Sequence, residues 1–104
     1  MEKEKTDRQP ISGTEKGKKV FYIPNRIFEY RKELSISARV IYMEIVSVCS
    51  KNNSYETDLT DKQLSKIVGV SLSTIRRALT KLDKYKFIKR ERIGRRRKII
   101  LLDY

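Results

Sequence analysis

Residues 69–79 read GVSLSTIRRAL, and the parsing of this stretch decides the fold. Gly69 follows a short helical pattern, at the place where a helix C-terminus needs a left-handed residue. Ser71 is a helix-capping type, and Leu72 and Ile75 open a second helical stripe. Two short helices joined by a glycine-containing turn of about three to four residues form a helix-turn-helix arrangement.

The flanks extend that pattern in both directions. Upstream, Thr60 followed by Gln63 makes a capping box, and Leu64, Ile67 and Val68 form a short buried stripe. Val70 is then free to plug into the core. Downstream, a helix over residues 72–85 places Leu72, Ile75, Ala78, Leu79 and Leu82 in one sector. Ser73, Thr74, Arg77, Thr80, Lys81 and Lys84 lie in the opposite sector, with Arg76 at the flank. No acid appears in this helix before Asp83. Phe87 and Ile88 begin a strand, and Ile99 to Leu102 form a second. Gly94 suits the tip between them, with Arg95, Arg96 and Arg97 beside it.

Ahead of the turn, Ser35 caps a longer helix whose inner face is Ala38, Ile41, Tyr42, Ile45, Val48 and Cys49. Asn52 and Asn53 signal its end. Val20–Ile23 is a short β-prone run stopped by Pro24, followed by a helical turn through Tyr30 packed down by Ile27 and Phe28. Tyr22, Phe28, Tyr42 and Phe87 are expected to be buried. Residues 1–18 hold almost nothing apolar and read as a disordered arm, leaving residues 19–104 as one domain. The expected class is mainly α with a small β-ribbon.

Composition narrows the function. The 104 residues carry a formal net charge of +12. Self-repulsion of that size favours a polyanionic partner, nucleic acid first, an anionic membrane surface second and an acidic protein third. From Leu72 to Lys98 there are 12 Lys and Arg against Asp83 and Glu91, a net of +10, so the rest of the chain carries +2. Histidine is absent, which excludes imidazole catalysis and His-containing metal sites. No paired carboxylates, phosphate-binding glycine loop or nucleophile–base set is present, so neither an enzyme nor a cofactor is expected. Cys49, the single cysteine, allows no internal disulfide and fits a reducing cytoplasm; its place in the apolar stripe makes it a packing residue. No leader-like apolar segment and no run near the roughly 20 apolar residues of a membrane span occurs.

Residues 20–102 resemble the winged helix-turn-helix domains of bacterial plasmid and phage proteins. The likeness is greatest to those of replication initiators, replisome-organiser proteins and small regulators. It is carried by FYIPNRIFEY (21–30), LSISARVIYMEI (34–45) and LTDKQLSKIVGVSLSTIRRALTKLDKYKFIKRE (59–91). The resemblance implies a strand and turn ahead of the domain, a scaffold helix, then positioning helix, recognition helix and wing. It also implies that Ser73, Thr74 and Arg77 sit where such families touch DNA. Many initiators are longer, with a second domain. This chain stops just after the wing at Asp103–Tyr104, as a stand-alone protein or as part of a longer one.

The resulting expectation is a DNA-binding protein of a mobile element, acting in replication initiation or transcriptional control. Helix 72–85 would enter the major groove, and the basic wing 90–98 would lie on the backbone or minor groove. The residues expected to touch DNA are Ser71, Ser73, Thr74, Arg76, Arg77, Lys81, Lys84, Arg92, Arg95, Arg96 and Arg97. Two alternatives stay open. One is a non-specific binder of single- or double-stranded nucleic acid. The other is a protein-interaction module that recruits replication proteins. A homodimer is compatible with the sequence and not required by it.

Overall fold

The computed structural model describes residues 18–102. The expected arm lies outside the described residues except for Lys18, as do Asp103 and Tyr104. Helix α1 spans Arg26–Glu29, α2 Ile36–Lys51, α3 Asp61–Val68 and α4 Leu72–Lys84. Strands β1 (Glu56–Thr57), β2 (Ile88–Ile93) and β3 (Arg96–Leu101) form an antiparallel sheet in the order β1-β3-β2. The domain is mainly α with a small sheet, as expected.

Local chemistry sets most boundaries. Ser35 accepts from the Ala38 N–H at 3.1 Å and caps α2. At α3, Thr60 Oγ1 accepts from the Gln63 N–H, while Gln63 Oε1 accepts from the Thr60 N–H at 2.9 Å, so both halves of the capping box form. Gly69 ends α3 at φ 81°, a conformation that costs an L-residue on the order of 1 kcal/mol. Asn53 at φ 51° and Lys86 at φ 65° end α2 and α4 in the same left-handed way. After Lys86, the Phe87 N–H reaches the Leu82 carbonyl and the Lys86 N–H reaches that of Asp83, the paired bonds of a Schellman motif.

One core joins all layers. Ala38, Ile41, Tyr42, Ile45, Val46 and Cys49 of α2 meet Leu64 of α3 and Ile75, Ala78, Leu79 and Leu82 of α4. Phe87, just ahead of β2, and Ile88, Ile99 and Leu101 of the sheet close it, with Ile27 and Leu34 from the N-terminal side. The Phe87 ring stands edge-on to Tyr42 at 5.4 Å and to Tyr30 at 5.7 Å. Arg26 stacks its guanidinium over the Phe87 ring at 3.7 Å. It also donates to the carbonyls of Tyr85 and Lys86, just past the end of α4. A cation there satisfies carbonyls that have no helical partner.

Several expectations are corrected. Val20–Ile23 forms no strand. It runs beside α2, held by the Lys19 N–H on Asn53 Oδ1 at 2.8 Å, by Tyr55 Oη on the Val20 carbonyl, and by the Phe21–Tyr55 ring contact. β-branched residues make a strand only where a ladder is offered, and Pro24 turns the chain into α1 instead. Phe28 is 46 % exposed, because a single turn of α1 has room to bury only Ile27, and Tyr22, in the extended segment ahead of Pro24, is 49 % exposed. Ile67 is exposed, since the eight residues of α3 seat Leu64 and only partly Val68. Val46 rather than Val48 is buried in α2. Val70 does pack against the core, though only partly buried. The sheet has three strands rather than two, because Glu56 and Thr57 pair with Ile100 and Ile99.

Candidate nucleic-acid interface

Helix α4 presents its polar sector to solvent because its other sector is locked in the core. Ser73, Arg76, Arg77, Thr80, Lys81 and Lys84 are exposed, and Thr74 is half-buried. Ser71 Oγ accepts from the Thr74 N–H at 3.2 Å and also meets the hydroxyls of Ser73 (3.2 Å) and Thr74 (2.9 Å). The cap therefore orders three hydroxyls at the mouth of α4. Thr80 Oγ1 donates back to the Arg76 carbonyl, which ties its hydroxyl to the helix.

The hairpin register decides where each arginine goes. Ile88, Arg90 and Arg92 face Leu101, Ile99 and Arg97 across the ladder, on the side of the sheet that covers the core. Arg92 and Arg97 continue this side past the end of the core and overhang the start of α3. Ile93 pairs with Arg96, and Gly94 at φ 61° with Arg95 makes the two-residue loop. A positive φ at the first loop residue is where type II′ hairpins place glycine. Arg95 alone of the three arginines is at the tip; Arg96 and Arg97 belong to β3, which begins earlier than the apolar run Ile99–Leu102 signals.

Arg97 is turned into the fold. It donates to Asp61 Oδ1 at 2.7 Å and to the Leu59 carbonyl at 2.6 Å, and its side chain is 20 % exposed. Arg76, 65 % exposed, reaches the other oxygen of the same carboxylate at 3.4 Å. Asp61 thus joins the first turn of α3, the flank of α4 and the hairpin. Burial raises its pKa, but hydrogen bonds and charge from Arg97, then Arg76, outweigh burial and hold it below the usual carboxylate value. A cleft of about 500 Å³ lies beside this joint, between residues 58–63 and the arginines Arg92, Arg95, Arg96 and Arg97.

Three further acids of this region are paired, and Asp58 at the edge of the cleft has no ion pair among the described residues. Asp83 accepts from Arg90 Nε at 2.9 Å, Glu91 pairs with Lys89 at 3.1 Å, and Glu56 of β1 with Lys98. The Glu56 hydrogen bond and charge raise the Lys98 pKa. Pairing divides the 12 bases of residues 72–98. Arg76, Lys89, Arg90, Arg97 and Lys98 have carboxylate partners, and Arg77, Lys81, Lys84, Lys86, Arg92, Arg95 and Arg96 have none among the described residues. Six of these seven were expected from sequence to touch DNA; Lys86, the left-handed residue after α4, was not.

Two elements of this surface escape sequence reasoning. The Asp61–Arg97 contact joins residues 36 apart, and no short-range pattern encodes it. Ile93, 60 % exposed beside the hairpin tip, is an apolar residue in a basic loop. Its outward side follows only from a register that puts Ile88 inward. Among the described residues no group of three or more His, Cys, Asp or Glu could hold a metal ion, and no helix is long and apolar enough to cross a membrane.

No known protein family matches the chain, no curated protein is significantly similar to it, and no solved structure matches it.

Proposed function

We propose that this chain is a winged helix-turn-helix protein that binds duplex DNA, with α4 in the major groove and the β2–β3 hairpin on the backbone or minor groove. The observation that carries the reading is the sorting of charge: Asp61, Asp83, Glu91 and Glu56 at α4 and the hairpin are each in an ion pair, while Asp58 at the edge of the cleft has none among the described residues. Among the described residues, seven bases of residues 72–98 remain without a carboxylate, on α4, just after it, and along the hairpin. The order α2-β1-α3-α4-β2-β3 supports it, since a helix, a strand, two helices and a hairpin is the winged-helix sequence of elements. Arg77 reads base edges, with Ser73 and Thr74 beside it; guanidinium forks match guanine O6 and N7. Lys81, Lys84, Arg92, Arg95 and Arg96 contact phosphates and set register. We propose replication initiation or transcriptional control of a mobile element as its role, a reading supported by the resemblance, and the cytoplasm as its location, which the single cysteine fits.

The test is selection of bound fragments from random duplex DNA at about 150 mM salt, where bare phosphate attraction is weakened. Enrichment of one motif is expected, and Arg77→Ala should relax it at one base pair at a cost of about 1–3 kcal/mol. Equal binding to single strands, with no motif, would overturn the reading and leave a charge-driven binder.

A further inference from the structure

Among the described residues, no helix or strand packs on the outer face of α2, and only the segment Phe21–Ile23 flanks its C-terminal half. Ile36, Val40 and Met43 are exposed along it, and Ser47 and Ser50 continue the same line. Their spacings are 4, 3, 4 and 3 residues, which is the seam of a two-helix coiled pair, with Ile36 and Met43 at d positions and Val40 at a. A groove of about 380 Å³ between Phe21–Ile23 and Met43, Val46, Ser47 and Ser50 widens the apolar surface at its far end.

The residues flanking this seam identify what covers it. Arg39 and Glu44 occupy the g and e positions on either side. Neither side chain has an ion pair or hydrogen bond among the described residues, and Arg39 Nε is shielded from water with no acceptor. Five residues along a helix is a rotation of about 140°, so the two cannot reach each other within α2. In a parallel helix pair, a g residue lies beside the e residue five positions further along the second helix. Two copies of α2 packed in parallel about a two-fold axis would therefore pair Arg39 with Glu44 twice. An antiparallel pair would set Arg39 against its own copy, so charge selects the parallel arrangement.

The net charge does not forbid this. Ten of the twelve excess charges lie in residues 72–98, and the inner side of α2 is the side that packs on α4, so the seam faces away from the recognition helix. We infer that α2 is a self-association surface, on which a second copy of this chain docks in parallel through Ile36, Val40 and Met43, with reciprocal Arg39–Glu44 pairs. The inference does not depend on α4 binding DNA.

Sedimentation equilibrium of the full chain, free of DNA, over about 10–500 μM at 150 mM salt tests it, since a dimer's population follows protomer concentration. A monomer–dimer equilibrium is expected. Val40→Glu should be monomeric throughout, Arg39→Glu or Glu44→Arg should weaken association about tenfold or more, and the double charge swap should restore it. Val40→Cys should cross-link to a dimer under mild oxidation at least about tenfold faster than the exposed control Ile67→Cys, because parallel pairing places residue 40 beside its own copy. A wild-type chain that stays monomeric to about 500 μM overturns the inference. So does a dimer indifferent to the Arg39 and Glu44 changes, or equal cross-linking at residues 40 and 67.

Discussion

Replacing Asp61 with Asn removes one charge and changes almost no volume. In the native protein that charge accepts a 2.7 Å hydrogen bond from Arg97, whose side chain is four-fifths buried. A charge-assisted bond of this kind contributes about 1.5–3 kcal/mol. The position of Asp61 at the start of α3 adds about 0.3–1 kcal/mol by interaction with the helix dipole. The long contact to Arg76, an exposed side chain, adds a few tenths at most. Asparagine keeps an acceptor oxygen, so the expected loss is about 2 kcal/mol, near the low end of the sum. For a domain of this size that lowers Tm by roughly 8–16 °C. The pH dependence identifies the cause. The folded-state pKa of Asp61 is lowered, so its contribution is fully present above the ordinary carboxyl value near pH 4 and is lost as pH falls through the lowered value. Thermal unfolding followed by circular dichroism, for both proteins between pH 7 and pH 3, should show a constant gap down to about pH 5 that narrows at lower pH. A gap under about 0.5 kcal/mol at pH 7, or one unchanged at pH 3, would refute the reasoning.

The adjacent arginines should behave differently. Arg95→Ala should reduce the slope of log affinity against log salt for duplex DNA by about 0.9 with little change in Tm, whereas Arg97→Gln should lower Tm and leave the slope nearly unchanged. Lys86→Gly should stabilise the fold by about 0.5–1 kcal/mol in urea titrations, because Lys86 holds φ 65° and glycine does so without a steric penalty. Cys49 is buried, and burial followed by the charge of Glu56 pushes its thiol pKa up to about 11. A thiol-exchange reagent at pH 8 should therefore label it only at the rate of unfolding; immediate stoichiometric labelling would contradict the packing described.

What was legible in the sequence is what chemistry encodes over a few residues. Thr60 with Gln63, Ser71 before Leu72, and Gly69 between them fix the two short helices, because capping bonds span three residues and left-handed backbone favours glycine. The stripe Leu72–Leu82 predicts both the buried and the exposed sides of α4, since a 13-residue helix gives the periodicity room to repeat. Shorter elements escape. The two residues of β1 carry no alternation, and α1, with four, does not say which of Ile27 and Phe28 turns inward. The candidate site divides along the same line. The exposure of Arg77, Lys81 and Lys84 follows from helical geometry. The fates of Arg95, Arg96 and Arg97, identical neighbours in sequence, are separated by strand register and by an aspartate 36 residues from the third.

Arg26 sets the smallest portable unit of this protein. Counting from the longest helix, a fragment opening at Ser35 would look complete, with every strand and every large helix retained. It would lack the guanidinium that stacks on Phe87 and closes the carbonyls of Tyr85 and Lys86. Those carbonyls are the joint at which α4 hands over to the hairpin. Grafts, truncations and fusion boundaries must therefore keep residue 26, remote in sequence, with the helix and hairpin it braces.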